Sequence, residues 1–451
     1  MFHHWFSGRK LTFFLAETSA IAMACAVGAV LFAHALAPAG ARAIFKTGWP
    51  ALIILTVGAV IAFQFALYLL DLYNLRVAGE DRTRGQRMMK AAGAAAILLG
   101  GGNGLARLQL PPGAAMGAAM GAVFGVLLVR AAMNRLVGQA AKVLIVGDGA
   151  KARALSQVLM DEGEDSFQIV GFLPPSRFSS EVNSLADAAK SLKAEFVVTA
   201  IDDARGGVKG DALLECRLQG FNVFEGPRFM ERVLRRIPVS SLRASDLAFS
   251  DEMQIAAGRS FFKRVFDILM SLGLLFFAWP VMLIVSIVIK LDSKGPVFYR
   301  QERVGLAGKS FFLWKFRSMR TDAEKDGAVW AKQNDDRVTR VGKFIRKTRI
   351  DEIPQIFNVL AGEMSFVGPR PERPVFVAEL KQKIPFYGLR DAVKPGLTGW
   401  AQIRYPYGAS VEDAKNKLEY DLYYIKNGSL FLDVACIFHT VRHVLVGRGA
   451  R

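Results

Sequence analysis

The stretch FFKRVFDILMSLGLLFFAWPVMLIVSIVIKLDSKGP, residues 261–296, decides how this chain is organised. From Ile268 to Ile289 it contains no charged residue, and about 20 apolar residues are enough for a helix to cross a membrane. Pro280 lies within the run, where it removes a backbone hydrogen bond and kinks a helix. Basic residues, which favour the cytoplasmic side, stand on both sides of the run: Lys263, Arg264, Lys290 and Lys294. These features predict a re-entrant helix over 265–289 that bends at Pro280 and returns to the cytoplasmic face. A kinked helix that crosses completely is the alternative.

Four further apolar runs fill the first third of the chain, at about 11–35, 50–70, 88–108 and 113–133. Each approaches the length that a membrane-spanning helix needs, and the first is too long for the core of a cleavable signal peptide. Basic residues are concentrated before the first run, between the second and the third, and after the fourth. Because basic loops stay in the cytoplasm, residues 1–138 are predicted to form four transmembrane helices with both ends in the cytoplasm.

The composition agrees with a membrane protein that has anionic partners. Hydrophobic residues make up 52% of the 451 residues, and the formal net charge is +18. Such a charge suits membrane lipid, nucleic acid or phosphorylated substrates, but the sequence contains no motif of a nucleic-acid reader. The three cysteines (Cys25, Cys216 and Cys436) are far apart in the sequence and are predicted to be free thiols.

The middle of the chain, residues 139–257, shows the alternation of a parallel α/β domain. KVLIVGDGAKARALSQVLM predicts a strand, a glycine-rich turn and a helix, and FQIVGFL and AEFVVTAID predict further buried strands. The sequence therefore predicts a Rossmann-like domain in this region.

The glycine-rich turn carries only part of a dinucleotide fingerprint. Gly147, Gly149 and Ala152 have the spacing that brings a helix N-terminus to a pyrophosphate. However, the second strand ends in Phe172-Leu173-Pro174 and not in the acidic residue that would hold a ribose. A structural or regulatory role is therefore predicted, and a working dinucleotide site is the alternative.

The stretch RKTRIDEIPQIFNVL, residues 346–360, places two adjacent carboxylates, Asp351 and Glu352, between a group of cations and an apolar run. Pro354 is tolerated only near a helix start, and adjacent helical positions point about 100° apart, so the two carboxylates can act separately. One can hold Mg²⁺, which takes one or two carboxylates together with substrate phosphates, and the other can attack phosphorus as a nucleophile. The alternative is a solvated helix start, in which Thr348 and Asp351 form a capping pair.

Phosphoryl transfer depends mainly on positioning and charge stabilisation, so cations should surround the two carboxylates. Candidates are present in the neighbouring segments: Lys315, Arg317, Arg346, Arg349, Arg370 and Arg373. The last two lie in GPRPERP, where prolines stiffen the loop and pre-organise two forked phosphate donors. The cations and the rigid loop favour a catalytic site over a solvated helix start.

Residues 258–451 contain a series of long motifs: KRVFDILMSL, GPVFYRQERVG, RIDEIPQIFNVLAGEMSFVGPRPE, KPGLTGWAQIRY and YDLYYIKN. With these motifs the region resembles the catalytic domain of the bacterial sugar transferases, the monotopic phosphoglycosyl transferases. The full layout is similar to the larger polyprenyl-phosphate hexose-1-phosphate transferases that start exopolysaccharide, capsule or O-antigen synthesis. The resemblance implies a mixed fold. Four transmembrane helices and an α/β domain would precede a mostly α-helical catalytic domain with a Pro-kinked re-entrant helix.

The resemblance also implies a reaction and a location. Asp351 would attack the β-phosphate of a UDP-sugar, UMP would leave, and a phosphosugar would remain on the aspartate. Glu352 would bind Mg²⁺, and undecaprenyl phosphate would then take the phosphosugar at the cytoplasmic face of the bacterial inner membrane. Of the surrounding cations, Arg346 and Lys315 are assigned to the catalytic group, and Arg370, Arg373, Arg317 and Arg349 are assigned to phosphate binding.

Two other functions stay open at the level of sequence. A membrane-anchored NAD-dependent nucleotide-sugar dehydratase or epimerase would need a Tyr-x-x-x-Lys pair and a ribose-binding acid, and both are missing. A non-catalytic membrane scaffold would not need the retained carboxylates and cations. No residue identifies the hexose, for which glucose or galactose is expected, and the spans and the middle domain offer surface for a homodimer.

Overall fold

The structure is a computed structural model. It describes residues 8–36, 49–69, 93, 114–137, 140–163, 167–174, 184–202, 208, 210–239, 242, 257–321, 323, 337–405, 408 and 410–446. Apart from Gly93, the predicted third membrane run at 88–108 lies outside these residues, as does the basic loop before it. The chain divides into two compact units, Met1–Gly226 and Pro227–Arg451.

Three helices form the first part of the first unit: α1 (Gly8–Leu36), α2 (Trp49–Leu69) and α3 (Ala114–Val137). Gly117, Gly121 and Gly125 recur every fourth residue on α3 and face the backbone of α1. A side chain at Gly117 would clash with the carbonyl oxygen of Gly28, and one at Gly121 would clash with that of Ala24. Small residues at this spacing let membrane helices approach closely, so the sequence of α3 accounts for its close packing on α1.

The prediction of four transmembrane helices is confirmed only in part. Three of the four apolar runs are helical. Among the described helices, two are long and apolar enough to span a membrane by length and composition, over Leu15–Phe32 and Phe261–Asp292. The apolar parts of α2 and α3 are shorter, so the four-span arrangement is not confirmed.

A parallel sheet with the strand order β2-β1-β3-β4 follows in the same unit. Its strands are β1 (Ala141–Val146), β2 (Phe167–Leu173), β3 (Phe196–Thr199) and β4 (Asn222–Glu225). The helices between them are α4 (Ala150–Gly163), α5 (Ser184–Ser191) and α6 (Gly210–Leu218). The central strand β1 is buried from Val143 to Val146, which is typical of a parallel strand covered on both faces. The predicted Rossmann-like arrangement is confirmed at the level of a parallel sheet with intervening helices.

The second unit is mostly helical. Its helices are α7 (Gly226–Leu234), α8 (Ala257–Asp292), α9 (Arg340–Lys347), α10 (Gln355–Ala361), α11 (Pro374–Lys383), α12 (Trp400–Arg404), α13 (Val411–Asn427) and α14 (Leu430–Val446). Short 3₁₀ helices lie at Leu306–Gly308, Ile350–Glu352 and Tyr387–Ala392. Strands β5 (Phe298–Val304) and β6 (Ser310–Phe316) form an antiparallel hairpin, and β7 (Ser365–Val367) pairs in parallel with β8 (Gly396–Thr398).

The second unit begins within the segment 139–257 that was predicted to belong to the middle domain. Residues of α7 and of the segment after it make hydrogen bonds with α12 and α13. The carbonyl oxygen of Arg235 accepts a hydrogen bond of 2.9 Å from the indole of Trp400, and the backbone amide of Val239 donates to Glu419 at 3.0 Å. Glu231 accepts from Lys426 at 2.8 Å. These contacts explain why this connecting segment is part of the second unit.

The apolar helix α8 continues through Pro280 as one helix of 36 residues. One stripe of the helix is buried: Asp267, Ser271, Ala278, Met282, Val285 and Ile289. The other faces carry exposed apolar side chains, with Phe276 71% and Phe277 76% exposed. The predicted proline lies inside the helix, but a bend and a return to the same membrane face are not confirmed.

Both ends of α8 are attached to the same unit. Near the N-terminus, Arg264 donates to the carbonyl oxygens of Val359 (2.5 Å) and Leu360 (2.7 Å), which end α10. At the C-terminus, Arg317 donates to the carbonyl oxygens of Ser293 (2.7 Å) and Lys294 (2.9 Å). Because free carbonyl groups at a helix end need partners, these two arginines fix the orientation of α8 and α10.

Asp267 joins α8 to the short sheet. Its Oδ1 accepts hydrogen bonds of 3.0 Å from the hydroxyl of Ser365 and from the backbone amide of Phe366. Lys263 lies 3.6 Å from Asp267 and 3.0 Å from Asp433. Both carboxylates are almost fully buried, so the lysine balances charge that water does not reach.

Replacing Asp267 by alanine should destabilise the second unit by about 3 kcal/mol, because it leaves the buried amide of Phe366 without an acceptor and removes one of the two carboxylates beside Lys263. Asp267→Asn keeps an acceptor and should cost less. Thermal unfolding in detergent, followed by circular dichroism, measures the difference. Equal melting temperatures for the alanine variant and the wild type would contradict this role.

Candidate active site

The two adjacent carboxylates lie on a short 3₁₀ helix, Ile350–Glu352, between α9 and α10. The residue before it, Arg349, has a left-handed backbone (φ 59°, ψ 14°), which is uncommon for a residue other than glycine. This conformation turns the chain between α9 and the carboxylates. Pro354 immediately precedes α10, as its position in the sequence predicted.

The structure does not support the alternative in which Thr348 and Asp351 form a capping pair at a solvated helix start. Thr348 ends α9, where its hydroxyl donates to the carbonyl oxygens of Phe344 and Ile345. No side chain caps the 3₁₀ helix that carries the carboxylates. The pair is also buried, with Asp351 7% and Glu352 9% exposed, so the site is not a solvated helix start.

Cations from three segments converge on a single oxygen of Glu352. Its Oε1 lies 2.6 Å from Arg370 Nη2, 3.1 Å from Lys315 Nζ and 3.7 Å from Arg349 Nη1. Lys315 comes from β6, and Arg370 comes from the loop after β7. The fold therefore brings together residues 315, 349, 352 and 370, which were predicted from sequence to share one site.

Asp351 has a different environment from its neighbour. Its Oδ1 is buried and accepts no hydrogen bond. Burial and the adjacent Glu352 raise the pKa of Asp351, against the effect of Lys315, Arg349 and Arg346. A carboxylate oxygen with few hydrogen bonds is more nucleophilic than one that is fully solvated or paired, because no donor holds its lone pairs.

Burial alone would raise the pKa of Glu352, but Arg370, Lys315 and Arg349 together hold it well below its usual value. Glu352 is therefore ionised at neutral pH, whereas Asp351 gives up its proton with more difficulty. The two carboxylates have opposite pKa shifts, as expected of an adjacent pair with separate functions.

This difference predicts the pH dependence of activity. If Asp351 is the nucleophile, it must be ionised to attack. Because its pKa is raised, kcat/KM should then fall on the acidic side with an apparent pKa above the ordinary aspartate value of 3.8. A pH profile of kcat/KM, which reports on the free enzyme, tests this expectation. An acidic limb centred at or below 3.8 would contradict a raised pKa of Asp351 in the reacting enzyme.

The loop that carries Arg370 is held from several sides. The Arg370 backbone oxygen accepts a hydrogen bond of 3.0 Å from Arg390, which itself pairs with the buried Asp421 at 2.8 Å. Arg303 donates to the carbonyl oxygen of Pro371 at 2.9 Å. The structure thus adds side-chain supports to the stiffness that the prolines of this loop supply.

The other three predicted cations differ from one another in their surroundings. The guanidinium of Arg317 is buried and donates to the end of α8, so its contacts are structural and do not support phosphate binding. Arg346 acts on Asp351 electrostatically by lowering its pKa. Arg373 precedes α11 and lies close enough to lower the pKa of Arg303.

Gln402 is a site residue that was not predicted from sequence. Its Oε1 accepts a hydrogen bond of 2.9 Å from Arg370 Nη1, so Arg370 connects Gln402 to Glu352. The Nε2 of Gln402 is buried without a partner. The only signal in the sequence was its place in KPGLTGWAQIRY, because a lone glutamine on a short helix has no pattern of its own.

If Gln402 acts by positioning Arg370, Gln402→Ala should lower kcat/KM about tenfold, because an acceptor that orients the guanidinium is lost. Gln402→Glu keeps an acceptor for Arg370 and should recover most of this loss. Steady-state kinetics of both variants, with KM and kcat separated, measures the effect. A glutamate variant as impaired as the alanine variant would contradict positioning through the acceptor.

The glycine-rich turn of the first unit is already filled by the chain itself. The backbone amides of Ala150 and Lys151, at the N-terminus of α4, donate to the carboxylate of Asp202 at 2.6 and 2.9 Å. A side chain at Gly149 would clash with the same carboxylate. Asp202 therefore occupies the position where the spacing of Gly147, Gly149 and Ala152 would bring a pyrophosphate.

Comparison with known proteins places these observations in a family. The family model for bacterial sugar transferases matches residues 258–447. A galactose phosphotransferase acting with undecaprenyl phosphate, from Salmonella typhimurium, is 30% identical over 353 residues, which cover 72% of this chain and 72% of the relative. The chain belongs to the bacterial sugar transferase family.

Two other relatives in this family are more similar over shorter regions. An N-acetylgalactosamine phosphotransferase from Aeromonas hydrophila is 44% identical over 250 residues, 55% of this chain and 58% of the relative. A glucose-1-phosphate transferase from Klebsiella pneumoniae is 44% identical over 191 residues, 42% of this chain and 41% of the relative. The matched regions span about half the length of these two relatives.

Proposed function

We propose that this bacterial sugar transferase moves a sugar 1-phosphate from a UDP-sugar to undecaprenyl phosphate and releases UMP. The observation that carries the proposal is the buried pair Asp351–Glu352, in which Asp351 has an unpartnered oxygen and Glu352 is surrounded by Lys315, Arg349 and Arg370. The relatives from Klebsiella pneumoniae and Salmonella typhimurium, a glucose-1-phosphate transferase and a galactose phosphotransferase that act with undecaprenyl phosphate, carry out the same type of transfer.

The reaction proceeds in two displacements. A carboxylate oxygen of Asp351 attacks the β-phosphorus, the bond between that phosphorus and the bridging oxygen breaks, and UMP leaves with the oxygen. A phosphate oxygen of undecaprenyl phosphate then attacks the phosphorus of the phosphosugar-aspartate, and the Asp351 carboxylate is regenerated. Lys315 and Arg370 stabilise the negative charge on the phosphates during both steps.

The site fits a magnesium ion that completes its shell with substrate and water. Among the described residues no group of three or more histidine, cysteine or acidic side chains could hold a metal by itself. Adjacent carboxylates supply the one or two protein ligands that Mg²⁺ usually takes beside phosphates. The ion pairs of Glu352 with Lys315, Arg349 and Arg370 are all made by Oε1, so Oε2 is the oxygen that would meet the ion. We assign Glu352 as the ligand; when bound, the ion would neutralise charge on the diphosphate.

The position at the cytoplasmic face of the inner membrane is part of the same proposal. Both ends of α8 are attached to the catalytic unit, through Arg264 and Arg317, and Phe276 and Phe277 between them are exposed. A helix that crossed the membrane would place its ends on opposite sides, so these attachments support a re-entrant helix. Phe262→Cys and Leu291→Cys, in vesicles of known orientation, should both react with an impermeant thiol reagent from the cytoplasmic side only.

An NAD-dependent dehydratase or epimerase is not supported. Asp202 fills the anion position of the glycine-rich turn in the first unit, and the relatives in the comparison are phosphotransferases. A non-catalytic scaffold would have no need for a buried carboxylate without a partner at residue 351.

Isotope exchange tests the proposed reaction and identifies the sugar. Purified full-length protein, Mg²⁺ and labelled UMP are mixed with UDP-glucose, UDP-galactose or UDP-N-acetylgalactosamine in the absence of lipid. Label should enter the natural donor, because the first displacement is reversible and needs no acceptor. Transfer to undecaprenyl phosphate without any exchange would indicate a single displacement and would overturn the nucleophilic role of Asp351.

A further inference from the structure

The hairpin β5–β6 has two faces of opposite character. Its register pairs Phe298 with Phe316, Arg300 with Trp314 and Glu302 with Phe312, so these six side chains share one face. The opposite face carries Lys315, which contacts Glu352, and Phe311 and Leu313, which are buried against α10. The face with Lys315 therefore belongs to the active site. The proposed reaction uses no residue of the other face, Phe298, Arg300, Glu302, Phe312, Trp314 and Phe316, which we call the aromatic face.

The aromatic face forms a connected row. Phe316 stacks on Phe298 with ring centroids 5.3 Å apart, and Phe298 meets Trp314 edge to face at 6.0 Å. The guanidinium of Arg300 lies 4.7 Å from the ring of Trp314 and 4.9 Å from that of Phe312. The two ends of the row differ in exposure: Phe316 is 1% exposed and Phe312 is 50% exposed.

The buried end of this row is continuous with the membrane helix. Phe316 packs in one cluster with Met282, Val285 and Ile289 on the C-terminal half of α8. The neighbouring positions of that helix, Ile287 and Leu291, are 54% and 81% exposed. The exposed apolar surface of α8 therefore extends onto the aromatic face of the hairpin.

The chemistry of the face matches the boundary between lipid tails and head groups. Aromatic rings with one polar side are enriched at that level of a membrane, and arginine can cover apolar surface with its stem while its charge meets lipid phosphates. Lys290, in the last turn of α8, and Lys294, between α8 and the hairpin, are exposed. They add charge of the sign that anionic head groups attract.

We propose that the aromatic face of β5–β6 lies on the cytoplasmic leaflet and contacts anionic lipid, so that one hairpin holds Lys315 in the active site and fixes that site at the membrane surface. The proposal rests on the membrane position given under the proposed function. It explains how a buried site reaches a phosphate carried by a lipid.

A fluorescent label at residue 312 tests the contact directly. Phe312→Cys is labelled with an environment-sensitive fluorophore in the full-length protein and reconstituted into vesicles that contain phosphatidylglycerol. The native thiols are buried. Leu218→Cys is the matched control, because Leu218 is also an exposed apolar residue, at 74%, but lies on α6 of the sheet domain.

Nitroxide on the lipid acyl chain should quench the label at 312 severalfold more than the label at 218, and aqueous cobalt should show the reverse order. Equal quenching at the two positions, or quenching at 312 by cobalt alone, overturns the proposal. The label at 312 could instead be protected from aqueous cobalt only in detergent and only at high protein concentration. That result would overturn the proposal and indicate that a second copy of the chain covers the aromatic face.

A functional measurement separates this proposal from the proposed reaction. Arg300→Glu reverses the charge at residue 300 and makes the aromatic face, which also carries Glu302, acidic without altering the residues around Glu352. It should keep lipid-free UMP exchange and lose most transfer to undecaprenyl phosphate in anionic vesicles. Unchanged transfer would overturn the lipid contact, whereas absence of exchange in the wild type would overturn the reaction and leave the quenching result standing.

Discussion

Replacement of Asp351 by asparagine should abolish exchange between UMP and the UDP-sugar. The amide has the shape of the carboxylate but cannot form the phosphosugar intermediate, so we expect a loss of about 1,000-fold or more. The measurement is isotope exchange without lipid acceptor. Asp413→Asn is a suitable control, because Asp413 caps α13 and lies outside the group around Glu352.

The same variant should be more stable than the wild type. Burial and Glu352 raise the pKa of Asp351 above that of the unfolded chain, so the ionised carboxylate opposes folding at neutral pH. The increase in the free energy of unfolding on replacement by asparagine should therefore be present at neutral pH. It should disappear as the pH falls through the raised pKa, where the wild-type carboxyl is protonated. A variant that exchanged UMP normally, or that melted at a lower temperature, would contradict the assignment.

Replacement of Glu352 by glutamine should affect both stability and catalysis. The change leaves Lys315 and Arg370 in a largely buried site without the charge that balances them, and breaking such a group costs about 3 kcal/mol. Loss of order in these two cations should also lower kcat about 100-fold or more. Calorimetry and exchange kinetics measure the two effects, and the Mg²⁺ concentration needed for half-maximal activity should increase.

The pH dependence of stability distinguishes loss of the Glu352 charge from a general destabilisation of the fold. The pKa of Glu352 is held well below its usual value, so its contribution to stability is complete above the unfolded pKa and is lost as the pH falls through the lower folded value. The difference in the free energy of unfolding between Glu352→Gln and the wild type should therefore become smaller at acidic pH. Glu379→Gln, which removes an exposed pair with Lys383, is the control and should change little. An unchanged Mg²⁺ requirement would contradict the assignment of Glu352 as the metal ligand.

Local sequence patterns were sufficient for much of the architecture. The apolar run at 268–289, the buried strand before Gly147 and the adjacent carboxylates at 351 and 352 each have a meaning that depends only on near neighbours. An apolar run has to be buried in a membrane or in a protein core. The period and the length of the hydrophobic pattern indicate whether the run is a helix or a strand. For the same reason the site could be recognised from Asp351, Glu352 and the rigid loop of Arg370.

The partners of individual side chains could not be read from the sequence, because they depend on contacts between distant segments. Arg317 and Arg370 look alike in the sequence, yet Arg317 ends α8 and Arg370 contacts Glu352. In the sequence, Thr348 could be the first residue of a helix that contains Asp351. In the structure, Thr348 ends α9, and the next residue, Arg349, has a left-handed backbone.

The sequence by itself determined which chemical groups are available: two adjacent carboxylates, a set of cations, a stiff loop and an apolar helix. Only the tertiary structure decided that Glu352 takes the cations and Asp351 keeps an unpartnered oxygen. It also decided that Asp202 fills the glycine-rich turn. The physical reason is that charge pairing and burial depend on distance in space, and segments far apart in the chain set that distance only when they pack together.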